Sequence, residues 1–174
     1  IGASAAEISE YVTLACDALK PKAPKLIAIG GFSGSGKSVL ARSLAPEIGA
    51  LPGAVVLNSD HERKVGLSQD ARLDLHEYSV DRRDAVYRAM FGRAEAILGA
   101  GHSVILDATF IDPRLRAMAG QVSIASSVPL AGFWLDAPRK LLFERVRGRT
   151  GDASDAGAEV LETQLVADLG EIFW

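Results

Sequence analysis

Apolar and polar positions follow two different rhythms along this chain, and the switches between them outline a fold. Residues 4–19 carry Ile8, Tyr11, Val12, Ala15 and Leu19 at helical spacing, and Ser4 with Glu7 forms a capping box at the start. Lys20-Pro21-Lys22-Ala23-Pro24-Lys25 ends that helix, because two prolines cannot continue it, and reads as a linker. Four short apolar runs follow: Leu26–Gly30, Ala54–Asn58, Ser103–Asp107 and Leu130–Asp136. Continuous runs of this kind are expected of parallel strands covered on both faces. Helical patterns lie between and after them, near 37–48, 81–99, 112–126, 138–147 and 156–169. Within 81–99, Val86, Met90, Ala94, Ile97 and Leu98 keep one face apolar, and Gly99 and Gly101 stop the helix. Such alternation predicts an α/β fold, a doubly wound parallel sheet with right-handed crossovers. Residues 1–25 are then an N-terminal helix and linker, and 26–174 the α/β domain. The polar stretch 59–80 is an unusually long connection between a strand and the next helix, a length that commonly marks function.

Composition narrows the class. The 174 residues are 48% hydrophobic and 24% charged with a net charge of −3, so the chain can bury a core and is not disordered in the main. A single cysteine, Cys16, excludes a disulfide framework and a Cys-rich zinc site. No apolar run approaches the roughly 20 residues of a membrane span, and the acidic, Ala-rich start does not read as a signal peptide. A cytoplasmic protein with no membrane partner is expected. A pI near 5.6 argues against nucleic acid as a partner held by bulk charge. The start at Ile1, without a Met, is expected of a piece of a longer protein.

One motif then changes the picture from architecture to chemistry. Gly31-Phe32-Ser33-Gly34-Ser35-Gly36-Lys37-Ser38 is a full GxxxxGK[ST] match, preceded by an apolar strand and opening a helix. Glycines let the backbone curl so that successive N–H groups converge on one anion, and the helix N-terminus adds about half a positive charge behind them. The expected phosphate cradle comprises Gly31, Ser33, Gly34, Ser35, Gly36, Lys37, Ser38 and Val39. Lys37 can reach the β- and γ-phosphates of ATP, and the Ser38 hydroxyl can ligate Mg²⁺. No Asn-Lys-x-Asp base-reading motif accompanies it, which disfavours a GTPase. The third strand ends Val104-Ile105-Leu106-Asp107-Ala108 with one carboxylate rather than an acidic pair, which disfavours hydrolysis as the purpose. Transfer to another acceptor remains.

Candidate acceptor-side residues cluster at strand ends, where open α/β sheets bind ligands. The second strand runs into Asn58-Ser59-Asp60-His61-Glu62-Arg63. Asp60 can accept the proton of an attacking hydroxyl, and Arg63 can hold the acceptor or a phosphate. A capped strand end with a surface ion pair is the plainer alternative, and His61 reads as a polar loop residue. Asp107 is either a carboxylate near Mg²⁺ or the acceptor, with Thr109 nearby, or a cap for the helix after it. Arg114 and Arg116 read as solvated helix residues. After the fourth strand, Arg145 and Arg149 lie four apart on one helical face, where they can close over ATP and meet charge on the transferred phosphoryl.

These residues, in this order, resemble a family. The pieces GFSGSGKS (31–38), NSDHER (58–63), EYS (77–79), VY (86–87), ILDATF (105–110), RVRGR (145–149) and DASDA (152–156) cover most of residues 26–168. They are similar to the P-loop small-molecule kinases that share a core with polynucleotide 5′-kinase, zeta toxins and gluconate kinase. The resemblance is strongest to the ATP-binding half that follows an aminoglycoside-phosphotransferase-like domain in one polypeptide, which implies such an upstream domain as a partner. It implies Asp60 as the hydroxyl-activating base, Arg63 as an acceptor-side arginine, and Arg145 and Arg149 as lid arginines. It also implies a P-loop NTPase sheet of core order 2-3-1-4. Such kinases normally add a fifth strand; because the sequence reaches Trp174 where that strand would begin, a sheet without it is expected. The resulting expectation is a kinase that uses Mg·ATP to phosphorylate a hydroxyl of a small polar molecule. A 5′-polynucleotide kinase and an ATP-binding sensor module attached to another domain are the competing readings.

Overall fold

In the computed structural model, the described residues are 4–64, 80–148 and 157–174. Four parallel strands form one sheet: β1 (Leu26–Gly31), β2 (Val55–Asn58), β3 (Val104–Asp107) and β4 (Leu130–Leu135), in the order β2-β3-β1-β4. The order 2-3-1-4 is the expected one. No fifth strand lies among the described residues. β1 is central and wholly buried, paired in register with β3 (Ile29 opposite Asp107) and with β4 (Gly31 opposite Leu135).

Side-chain alternation along the strands sorts the core into two layers. Leu26, Ala28, Leu57, Val104 and Leu106 face α4 (Val80–Gly99) and α5 (Pro113–Ala125). Ile27, Ile29 and Ile105 face α2 (Lys37–Leu44) through Ala41, Leu40 and Leu44. The buried stripe of α4 is Tyr87, Met90, Phe91, Ala94 and Leu98, so it is centred slightly off the expected one: Tyr87 and Phe91 point inward, and Val86 is only half-buried. A third cluster joins Phe32, just after β1, to Leu142 and Val146 of α6 (Arg139–Arg147) and Leu161 of α7 (Ala158–Leu165). That cluster ties the loop after β1 to the last two helices.

Three expectations are corrected. Residues 59–64 are not loop but a short helix, α3 (Ser59–Lys64), so His61 is helical. The edge strand β4 is covered on one side only, with Phe133 43% exposed. The last helix ends at Leu165, and residues 166–174 form an irregular tail that brings Trp174 onto Gly132 of β4. The N-terminal helix α1 (Ala5–Ala18) forms as expected with its Ser4–Glu7 capping box, but buries none of its residues.

Glycines in the sheet make room for the tail. The Trp174 indole lies directly over Gly132 and beside Gly30, and meets the Phe110 ring edge-on at 5.3 Å. Arg116, expected on a solvated face, is instead 3% exposed. Its guanidinium donates to the carbonyls of Phe110 and Ile111 on one side and of Leu169 and Glu171 on the other. It thereby staples the tail to the loop after β3. A methyl at position 132 would overlap the indole, so Gly132→Ala should lower stability by about 1–3 kcal/mol in urea unfolding. The same change in a Trp174→Ala background should cost almost nothing; an equal cost in both backgrounds would refute the packing.

Candidate functional site

The loop between β1 and α2 wraps an empty-centred turn because its glycines permit it. Gly31 has φ +137, and any Cβ there would strike the carbonyl of Leu135 on the neighbouring strand. Gly36 caps α2 at φ +100, a conformation that favours glycine, with no atom within 4 Å of where a Cβ would stand. Lys37 begins α2 and folds its ammonium back onto the Phe32 carbonyl at 2.9 Å. It is half-buried rather than exposed. Ser33 is buried, and its N–H donates to the side-chain oxygen of Gln164 on α7 at 2.8 Å. The Gly34 carbonyl accepts from the Arg145 guanidinium at 3.2 Å, bringing one expected lid arginine onto the loop. The Ser35 hydroxyl is buried without a partner inside the turn, and Val39 is exposed on the first turn of α2. Arg149 lies outside the described residues, as do the EYS and DASDA segments.

Beside the loop, one side chain connects four elements. The Asn58 amide nitrogen, at the end of β2, donates to Asp107 Oδ2 at 2.6 Å and lies 3.5 Å from Ser38 Oγ. Its carbonyl oxygen accepts the backbone N–H groups of Asp60 and His61, capping α3. Asp107 is 1% exposed, and its Oδ1 has no hydrogen-bond partner. It does not cap the following helix; Asp112 does, accepting from the Arg114 N–H. The Arg114 side chain, exposed as expected, holds the Asp112 carboxyl below its usual range.

A buried carboxylate oxygen left unpaired next to a serine hydroxyl fits a hard cation. Mg²⁺ takes oxygen ligands, and protein sites usually supply only one or two beside the phosphates. Ser38 and Asp107 therefore suit the metal expected there.

The residues expected on the acceptor side lie on α3, which packs against α4. Asp60 and Arg63 form an ion pair at 2.8 Å one helical turn apart, both mostly buried. Glu62 points the other way and pairs with Arg93, which fixes α3 against α4. Tyr87, 3% exposed, places its hydroxyl 3.4 Å from that of Thr109. Phe110 follows at φ 50, a sparsely populated conformation for a residue with a side chain, and its carbonyl is one that Arg116 holds. Asn58 and Gln164 were not among the expected site residues. Asn58 carries a local signal, a polar residue ending a strand before a run of charged residues; Gln164 carries none, since its partner is 131 residues away.

The parallel sheet and the loop after its central strand define a P-loop kinase-like nucleotide-binding domain. The chain belongs to the AAA domain family, whose model matches residues 26–167. An uncharacterized protein of Mycobacterium tuberculosis is 34% identical over 163 residues; the match covers 90% of this chain and 32% of that protein, so the chain spans about a third of the length of the curated relatives it matches. Among solved structures, the Mycobacterium tuberculosis APS kinase in complex with AMPPNP and APS is 26% identical with a TM-score of 0.57, covering 74% of this chain and 71% of that one. A sugar kinase from Janibacter sp. HTCC2649 aligns at a TM-score of 0.60 and 20% identity, covering 86% and 80%. A gluconokinase from Sinorhizobium meliloti 1021 aligns at 0.55 and 24%, covering 82% and 73%. The last two share the fold. No helix among the described residues is long and apolar enough to cross a membrane.

Burial pushes the Tyr87 hydroxyl above its ordinary pKa; the bonds to Thr109 and Phe110 oppose this, and the charge of Asp60 adds to it. The folded state therefore keeps this proton after the unfolded chain, with a tyrosine pKa of about 10, has released it. Stability from this group is full below about pH 10 and falls as pH rises further. Tyr87→Phe should cost about 1 kcal/mol near neutrality and lessen the alkaline loss of stability, read as the wild-type-minus-variant difference between pH 8 and 11. A pH-independent difference would place the hydroxyl in water.

Proposed function

We propose that this domain is an ATP-dependent kinase that transfers the γ-phosphate to a hydroxyl group of a small polar molecule. The observation that carries the reading is the Asn58 bridge: one amide holds Asp107 beside Ser38 while its oxygen caps the helix bearing Asp60 and Arg63. Donor and acceptor sides thus share one rigid junction. A sensor that only bound ATP would not need that carboxylate–guanidinium pair beside its phosphate loop. The acidic balance of the chain, net −3, speaks against a polynucleotide acceptor.

In the proposed step the acceptor oxygen forms a bond to the γ-phosphorus as the bond to the ADP oxygen breaks, and the hydroxyl proton passes to the Asp60 carboxylate. Phosphoryl transfer is loose, so orienting the hydroxyl matters more than basicity, and an ordinary aspartate suffices. Arg63 steadies that carboxylate and offers the acceptor a donor. The loop N–H groups and Lys37 take the phosphates; Arg145, already docked on Gly34, and Arg149 meet charge on the moving phosphoryl. Ser38 and Asp107 would hold Mg²⁺, which when bound neutralises charge on the β- and γ-phosphates. We also infer, from the family resemblance alone, an upstream aminoglycoside-phosphotransferase-like domain as a partner of this one.

Two measurements test this. Mg·ATP at a hundredfold excess over its Kd should stabilise the fold by about 2.7 kcal/mol, and Lys37→Ala should remove most of that gain without unfolding the ligand-free protein. An unchanged wild-type melting temperature would refute nucleotide binding. Transfer from radiolabelled ATP should next be screened across metabolites, nucleotides and oligonucleotides. With the acceptor found, Asp60→Asn should cut its phosphorylation by at least about a hundredfold and leave ATP affinity within a few-fold. Wild-type transfer by Asp60→Asn would make Asp60 a structural residue; no acceptor at all, with ATP affinity alone altered, would favour the sensor.

A further inference from the structure

One peptide group in the phosphate loop is gripped from both ends. The Phe32–Ser33 amide presents its carbonyl to the Lys37 ammonium at 2.9 Å and its N–H to Gln164 Oε1 at 2.8 Å. In a trans peptide these two groups point in opposite directions. Lys37 and Gln164 therefore approach this peptide from opposite sides, so one does not compete with the other for it. Gln164 belongs to α7, which packs Leu161 against Phe32, Leu142 and Val146, so its amide is delivered on an anchored helix.

We infer that Gln164 is a positioning residue for Lys37, and through it for the β- and γ-phosphates of the bound nucleotide; this rests on the nucleotide-binding reading above. Ser33 is buried, at 5% exposure, so without Gln164 its N–H would have to find another acceptor by turning the peptide. A turned peptide carries the Phe32 carbonyl away from Lys37. The effect also runs through the bond itself: an acceptor on the N–H polarises the amide and makes its carbonyl a stronger acceptor for the ammonium. Lys37 has three donors. Holding one of them on a fixed carbonyl sets the direction in which the ammonium is presented.

Because Lys37 meets the β- and γ-phosphates, the consequence is specific: loss of Gln164 weakens ATP but not a nucleotide lacking those groups. Gln164 is only half-buried, so substitution there is compatible with folding. The test measures Kd for ATP and for AMP, by competition with a fluorescent nucleotide, in wild type, Gln164→Leu, Gln164→Asn, Lys37→Ala and the Lys37→Ala/Gln164→Leu double variant. Gln164→Leu removes the acceptor, and Gln164→Asn keeps the amide but is one methylene too short. Both should weaken ATP about tenfold and leave AMP within twofold. In the Lys37→Ala background the added loss from Gln164→Leu should fall below twofold, a non-additivity that a merely structural role does not produce. Equal losses for ATP and AMP, full additivity with Lys37→Ala, or unchanged ATP affinity would overturn the inference while leaving ATP binding itself intact. Failure of the wild type to bind ATP would instead remove the nucleotide reading and this inference with it.

Discussion

The Asn58 side chain is the junction on which the rest of the site depends. A half-buried primary amide has two donors and an acceptor to satisfy, and here both ends are used across element boundaries. Its nitrogen meets Asp107 at the end of β3 and faces Ser38 at the start of α2; its oxygen closes the N-terminus of α3. Strand order makes this possible. With β3 between β1 and β2, the ends of β1, β3 and β2 lie side by side, so the phosphate loop, Asp107 and Asn58 form one row. A shorter or apolar side chain at 58 would strand a buried carboxylate and uncap the helix that carries Asp60.

Around that row, the loop tip is held by side chains from α2, α6 and α7. Lys37, Gln164 and Arg145 each take one backbone group of residues 32–34. A loop built from glycine and serine has little packing of its own and high conformational entropy. Fixing its peptides from outside reduces the ordering that a bound phosphate must impose. Packing supports the same outcome, since Phe32 is wedged among Leu142, Val146, Leu161 and Trp134. The two helices that follow β4 thus serve as a buttress for the phosphate loop.

Much of this was legible in the residues, for physical reasons that differ between parts. Four apolar runs and intervening helical stripes fixed the α/β class, because strand and helix periods differ and each buried face repeats along its element. The loop was legible because its chemistry is local: eight consecutive residues carry it. Short α3 was hidden, since six mostly charged residues show no apolar stripe and its cap is the preceding strand's Asn58. Arg116 was misread for a related reason. A charged residue on a helix is ordinarily solvated, and only the return of residues 169–171 supplies the carbonyls that allow its burial. Gln164 was invisible, as contacts across 131 residues leave no spacing to read.

The two halves of the site are built with different rigidity, and the difference bears on specificity. Phosphates meet a loop clamped to the sheet and to two helices. The proposed acceptor would meet α3, six residues long, held by Asn58 at one end and by the Glu62–Arg93 pair on its flank. Facing it, Tyr87 and Thr109 present a buried pair of hydroxyls, and Arg116 fixes the strained Phe110 that follows them. A transfer enzyme needs a fixed donor geometry, because the reacting phosphoryl must meet the same positive groups in every turnover. Acceptor choice, by contrast, is a difference in affinity set by a few polar contacts and by what they leave unpaired. Under the proposed kinase reading, relatives with the same phosphate loop can therefore diverge in substrate by changing α3 and its facing wall, while the Asn58 junction keeps Asp60 in register with that loop.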